Sequence, residues 1–304
     1  MTANEFRELA RTVSTWGRWN DGGRRGALNH LTQARTAAAL RLARTGETVS
    51  LSQPMRTEAG IDMPEPADHY MTMLPDVDIG SGSVRFAKDY VGADYHNEGH
   101  SHIDAFSHVA FDGCFYDGKP ECSVTAQGAH VGDIEVLRDG LVGRGVLLDV
   151  PRVRDVRWLE PGAHIFREDL EAAERAQGVR AGPGDILLIR TGHARRLTEL
   201  DPWDTQAAKA GLHPTVALYL AEREIAVLGS DTNNDTAPST TEGVAFPMHV
   251  LAIYAMGIHL LDYLQFEDVV PRCEAAGRWE FLFVAAPLRI AGGTGSPLNP
   301  VAIL

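Results

Sequence analysis

The chain reads as an α/β protein with a mixed central β-sheet, open or barrel-like, and flanking helices. Three observations predict this. Residues 145–150 and 185–190 are almost continuously apolar, as expected of strands covered on both faces. A helical pattern over 215–223 runs directly into a third apolar strand at 225–228, and helices alternate with strands along the chain. No repeat, low-complexity tract or composition break divides the 304 residues, so one domain over 1–304 is expected.

Taken in order, Thr32 is placed to cap a helix over 33–45, rich in Ala, Leu and Arg and stopped by Gly46. Residues 48–52 form a short strand. The 56–90 region is rich in Met, Pro, Asp and Gly without a steady period, which predicts long loops over a site. A strand follows over 98–104, and 105–109 begins a helix or turn. Residues 167–177 are helical, and 279–286 form the last clear strand. The glycine-rich run at 292–297 lacks the Lys and following helix of a phosphate loop, so a tight turn is the better reading. No GxSxG elbow is present.

The net charge of -13 argues against a nucleic-acid or anionic-membrane surface, because both require a basic footprint. Cys114, Cys122 and Cys273 show no CxxC spacing, which fits a reduced, cytoplasmic protein with free thiols. The first residues contain no apolar run of a secretory signal. Residues 243–261 carry no Asp, Glu, Lys or Arg and approach the length of a membrane span. Pro247, His249, Gly257 and His259 interrupt that stretch, so a buried core element is expected there.

Residues 96–108, His-Asn-Glu-Gly-His-Ser-His-Ile-Asp-Ala-Phe-Ser-His, hold four of the 12 histidines, and no other segment concentrates ligand-type side chains so strongly. In an extended strand Glu98, His100, His102 and Asp104 share one face, while Gly99, Ser101, Ile103 and Ala105 pack on the other. A lone histidine is usually structural. Several with two carboxylates on one face point instead to a divalent metal. The absence of thiolate suits Zn²⁺, Mn²⁺ or Fe²⁺, and Asp104 is of a type that can bridge two ions. His108 is out of strand phase and reads as an acid/base group, and His96 reads as a bystander.

Further along, His249 and Asp262 lie in an apolar context where an unpaired charge is costly, so they are candidate ligands from a distant part of the chain. His259 alone reads as pointing to solvent at an element end. Asp231 follows a buried strand, where ligands gather in α/β sheets, although turn chemistry explains it equally well. Arg190-Thr-Gly-His193 carries the same ambiguity. Tyr70, Met71 and Phe106 are candidates for the wall of an apolar substrate pocket.

The His102-Ile-Asp104-Ala-Phe-Ser-His108 segment resembles the His-x-Asp-x-x-x-His core of the cyclase family of metal-dependent hydrolases, which includes kynurenine formamidase and isatin hydrolase. Trp16-Gly17, the 26–29 and 49–52 segments, Phe111-Asp-Gly113 and Tyr116-Asp-Gly118 resemble its longer members. So do Ser230-Asp-Thr232, the His249 and Asp262 pair, Ala286-Pro-Leu288 and the 293–300 run.

The resemblance implies a kynurenine formamidase-like fold, a divalent metal (Zn or Mn), a small-molecule substrate and a homodimer or homotetramer. It implies that His102 and Asp104 are ligands, that His108 is catalytic, and that His249 is a later ligand. Asp262 stands where a glutamate is usual. Glu98 stands where the family has a histidine, and His100 where it has a glycine, so either is a replacement ligand. The implied reaction is hydrolysis of an open-chain or cyclic amide by metal-activated water, with His108 moving the proton. A lactone hydrolase, a lyase or ring-closing enzyme, and a non-enzymatic metal- or ligand-binding protein are the alternatives.

Overall fold

The strongest apolar runs become the centre of a curled nine-stranded mixed sheet. The computed structural model describes residues 1–80 and 82–304. The sheet strands, in chain order, are β1 (Thr48–Ser50), β2 (His102–Asp104), β3 (Leu141–Asp149), β4 (Ile186–Arg190), β5 (Val227–Ser230), β6 (His259–Asp262), β7 (Glu280–Ala285), β8 (Gly295–Pro297) and β9 (Val301–Ile303). Their spatial order is β1-β9-β7-β3-β4-β5-β6-β2-β8.

The four middle strands, β3 to β6, are parallel, and each flanking pair is antiparallel. Parallel strands need crossovers, which explains why helices separate them in the chain. Every residue of β4, β5 and β6 is buried, so both faces are covered and no polar alternation survives in their sequences.

The helices at Arg167–Gln177 and Val216–Arg223 lie where the sequence places them. The helix capped by Thr32 ends at Ala39 and tightens into a 3₁₀ turn over Leu40–Leu42 rather than running on to 45. The uncharged stretch around 250 is a wide helical segment, Val250–Met256, that leads into β6 inside the core. No helix among the described residues is long and apolar enough to cross a membrane.

Two further expectations fail. Residues 56–90 are not all loop: Asp68–Met73 and Lys88–Gly92 pair as an antiparallel hairpin whose side chains are largely exposed. The strand expected over 98–104 starts only at His102. Upstream of it the chain turns. Asp94 Oδ1 accepts from the His96 amide at 3.2 Å, and Asn97 Oδ1 accepts from the amides of Gly99 at 3.2 Å and His100 at 3.3 Å. Such side-chain bonds to nearby amides compete with a sheet ladder and break the two-residue alternation.

β2 lies near one end of the sheet, antiparallel to both β6 and β8. Asp262 is opposite His102, and Gly295 is opposite Asp104. A side chain at Gly295 would place its Cβ 2.4 Å from the Ile103 carbonyl oxygen and 2.8 Å from the His96 ring. Glycine there lets His96 fold down against the strand.

Candidate metal centre

Asp104 is the centre of the cluster. It is completely buried, and neither carboxylate oxygen has a hydrogen-bond partner among the described residues. His96 Nδ1 stands 3.0 Å from Asp104 Oδ1 but out of line for a hydrogen bond, and His102 Nε2 is 3.5 Å from the same oxygen. On the other side, His249 Nε2 lies 3.5 Å from Asp104 Oδ2 and 3.4 Å from Asp262 Oδ2. Burial opposes the charged form of Asp104. The surrounding imidazoles, His108 first and then His96, His102 and His249, outweigh it and hold the carboxyl well below the usual carboxylate range.

Three of the imidazoles are oriented by their second nitrogen. His102 Nδ1 bonds the His100 carbonyl at 2.7 Å, which leaves Nε2 for the cluster. His249 Nδ1 bonds Asp235 Oδ2 at 2.6 Å, again freeing Nε2. His96 Nε2 meets Thr294 Oγ1 at 3.0 Å, which directs Nδ1 at Asp104. Asn234 Nδ2 donates to Asp262 Oδ1 at 2.7 Å, leaving Oδ2 toward His249 and His102. Metal-binding histidines are typically fixed in this way, by a carbonyl or carboxylate on the far nitrogen. Burial disfavours a charged His249, but Asp235 and Asp262 raise its pKa well above the ordinary value.

His108 reaches the cluster because Phe106–His108 turns as a 3₁₀ segment directly after β2. Its ring stacks on His96 with centroids 3.9 Å apart and planes 6° apart. Burial, with the neighbouring His96, His249 and His102 charges, lowers its pKa to about 4 against the pull of Asp104, so the ring is neutral at pH 7. That is a departure from the ordinary value near 6.5 expected of an exposed acid/base histidine.

Among the described residues, two sets of ligand atoms lie mutually within 4.8 Å: His96, His102 and Asp104, and Asp104, His108 and His249. A buried carboxylate with both oxygens unbonded and four imidazole rings around it is costly as it stands. Nitrogen and oxygen donors without thiolate fit a divalent cation, with Asp104 facing both sets.

The remaining candidates divide by geometry. His100, expected to face the metal with His102, is buried elsewhere. Its Nδ1 meets Asn97 Nδ2 at 3.3 Å and its Nε2 meets the Arg56 carbonyl at 3.3 Å, because the 94–100 turns remove it from strand phase. Glu98 borders the same cavity as the cluster but bonds Lys209 and Tyr263 instead. His96, read as a bystander, sits against Asp104; the turn-forming Asp94 and Asn97 around it were the available signal. Asp235 was missed as well, and its place after Asn233-Asn234 makes it resemble ordinary loop chemistry.

The candidate substrate contacts Asp231, Phe106, Tyr70 and Met71 all fall outside the cavity. Asp231 accepts from the amides of Thr191 at 2.7 Å, Gly192 at 2.8 Å and His193 at 3.0 Å, which is structural work beyond β4. Phe106 is buried and stacked on His259 with centroids 4.3 Å apart. Tyr70 is exposed on the hairpin and stacks on Tyr90. His259 does not point to solvent: it is fully buried, and its Nδ1 bonds the Asp104 carbonyl at 2.7 Å.

The cluster opens onto a cavity of about 500 Å³, bordered by His96, His102, His108, His249 and Asp262, with Phe111, Phe246 and Tyr263 as its aromatic wall. That volume suits a small organic molecule.

A family model described as "Putative cyclase" matches residues 48–234. A crystal structure described as a novel cyclase is 31% identical, with a TM-score of 0.88 over 97% of this chain and 99% of that one. Isatin hydrolase A from Ralstonia solanacearum is 23% identical, with a TM-score of 0.61 over 88% of this chain and 95% of its own. An isatin hydrolase bound to the product analogue thioisatinate is 19% identical, with a TM-score of 0.60 over 89% of this chain and 97% of that one. The last two likenesses concern the fold alone. No curated protein matches the sequence. The family match spans more than half of the chain and includes the His102, Asp104 and His108 segment, so the chain belongs to this cyclase family.

Proposed function

We propose that the protein is a metal-dependent hydrolase that cleaves an open-chain or cyclic amide C–N bond of a small molecule. The observation that carries this reading is Asp104, buried with both oxygens unbonded among the described residues and faced by His96, His102, His108 and His249, four histidines that themselves border an organic-sized cavity. His102, Asp104, His96, His249 and Asp262 would hold the ion, with Zn²⁺ and Mn²⁺ the best matches to the donor set. A bound divalent ion supplies an acidified water and a Lewis acid for the substrate carbonyl.

The protein's own groups do the rest. Asp235 holds the His249 tautomer, and Asn234 holds Asp262. Phe111, Phe246 and Tyr263 exclude water from the apolar part of the substrate. His108 is neutral at pH 7 and free of other hydrogen bonds among the described residues. It would accept the proton at a ring nitrogen and return it to the leaving amine.

The test is turnover of formanilide-type, cyclic imide and lactone substrates by Zn²⁺- and Mn²⁺-loaded protein. Amide or imide hydrolysis is expected, with His108→Ala retaining metal and losing roughly 10²- to 10⁴-fold in kcat. Metal-loaded protein that turns over none of the three would refute the hydrolase reading, and turnover of the lactone alone would move it to an ester bond.

A further inference from the structure

Glu98 occupies the position from which a histidine was expected to reach the metal, yet it is tied elsewhere. Its Oε2 accepts from Lys209 Nζ at 2.5 Å and also from the Tyr263 hydroxyl. Lys209 and Tyr263 are each only 1% exposed. Lys209 Nζ also lies 3.0 Å from Tyr263 Oη, and Asn233, with its amide oxygen turned toward it, accepts from Nζ at 3.1 Å. Swinging Glu98 to the metal would leave a buried ammonium without its counter-charge, which is strongly unfavourable. Neither ligand set around Asp104 includes Glu98.

The other oxygen, Oε1, has no hydrogen-bond partner among the described residues and is not among the buried unpaired atoms. Glu98 borders the cavity together with Tyr263, Asn233 and the metal-cluster histidines. An ionised carboxylate only accepts hydrogen bonds, so a group in the cavity that meets Oε1 must be a donor.

We propose that Glu98 is a specificity-determining residue that accepts a hydrogen bond from an N–H group of the ligand and is not a metal ligand. The proposal rests on the amide-hydrolase reading for its choice of ligand class. Lys209 and Tyr263 act as positioning residues that fix one carboxylate oxygen and aim the other into the cavity.

The pinning gives a sharp test. In Glu98→Gln the two donors Lys209 and Tyr263 hold the amide oxygen, so the amide NH₂ faces the cavity and an acceptor becomes a donor. Binding of phthalimide and of N-methylphthalimide to metal-loaded wild-type and Glu98→Gln protein is measured by calorimetry, together with affinity for Zn²⁺ alone. The wild type is expected to prefer the N–H imide by roughly tenfold or more, the loss typical of one charge-assisted hydrogen bond. In Glu98→Gln that preference should collapse toward one while Zn²⁺ affinity is unchanged.

A wild type that does not distinguish the two imides overturns the proposal, and so does a preference retained in Glu98→Gln. Weaker Zn²⁺ binding by Glu98→Gln would make Glu98 a ligand and also overturn it. Discrimination without hydrolysis would leave the recognition role standing and remove only the hydrolase reading.

Discussion

Asp104 and Asp231 are both completely buried aspartates at the ends of sheet strands, and their surroundings are opposites. Asp231 takes three backbone N–H groups from residues 191–193, and its burial still pushes the carboxyl up to about 6. Asp104 takes no hydrogen bond among the described residues, and the surrounding histidines hold it well below the usual carboxylate range against its burial. Burial alone therefore does not mark a functional carboxylate. The informative property is where its oxygens go. Asp231 ties the loop after β4 to the end of β5, whereas Asp104 presents both oxygens to ring nitrogens that are themselves oriented from behind.

The largest effect expected from this contrast is at Asp104. Asp104→Asn should abolish specific Zn²⁺ or Mn²⁺ binding, read as bound metal after gel filtration, while the fold persists because an unpaired buried charge has been removed. Next comes Asp235, which touches the cluster only through His249. Asp235→Asn should retain metal with an affinity roughly 10- to 100-fold lower, the usual cost of losing such a support, in a chelator competition. Asp231→Asn should do the reverse of Asp104→Asn. It should cost about 1–3 kcal/mol of stability in urea unfolding and leave metal affinity unchanged.

The smallest effect is a pH dependence beside Asp231. The buried His193 ring is lowered to about 3 by burial and, after it, by the Lys209 charge. Between its ordinary value of 6.5 and about 3 the unfolded chain binds the proton and the folded chain does not. Stability from this group is thus full above 6.5 and is lost as pH falls toward 3. His193→Gln should flatten the fall in Tm between pH 6.5 and 4.5. An unchanged slope would show that the ring is not held neutral.

The same contrast explains what could be read in the sequence. Strands buried on both faces are visible as apolar runs, so the parallel centre at 141–149, 186–190 and 227–230 was legible. His102 and Asp104 were legible because they do lie two apart in one strand. Glu98 and His100 were assigned to the same face on the assumption that the strand began four residues earlier. Asn97 and Asp94 bond nearby amides and turn the chain, which carries His100 away and brings His96 in. Asp231 and Asp235 sit four residues apart in one polar loop, and composition does not separate the residue that holds backbone from the one that holds His249. That distinction depends on partners 13 to 40 residues away in the chain, which periodicity does not encode.

The most direct test of the metal centre is anomalous scattering from crystals soaked in Zn²⁺, recorded on both sides of the absorption edge. A peak is expected about 2.0–2.2 Å from an Asp104 oxygen, with His102 and either His96 or His249 completing the nitrogen ligands. A peak held by His100 or Glu98, or no peak at Asp104 in crystals shown to contain zinc, would contradict it.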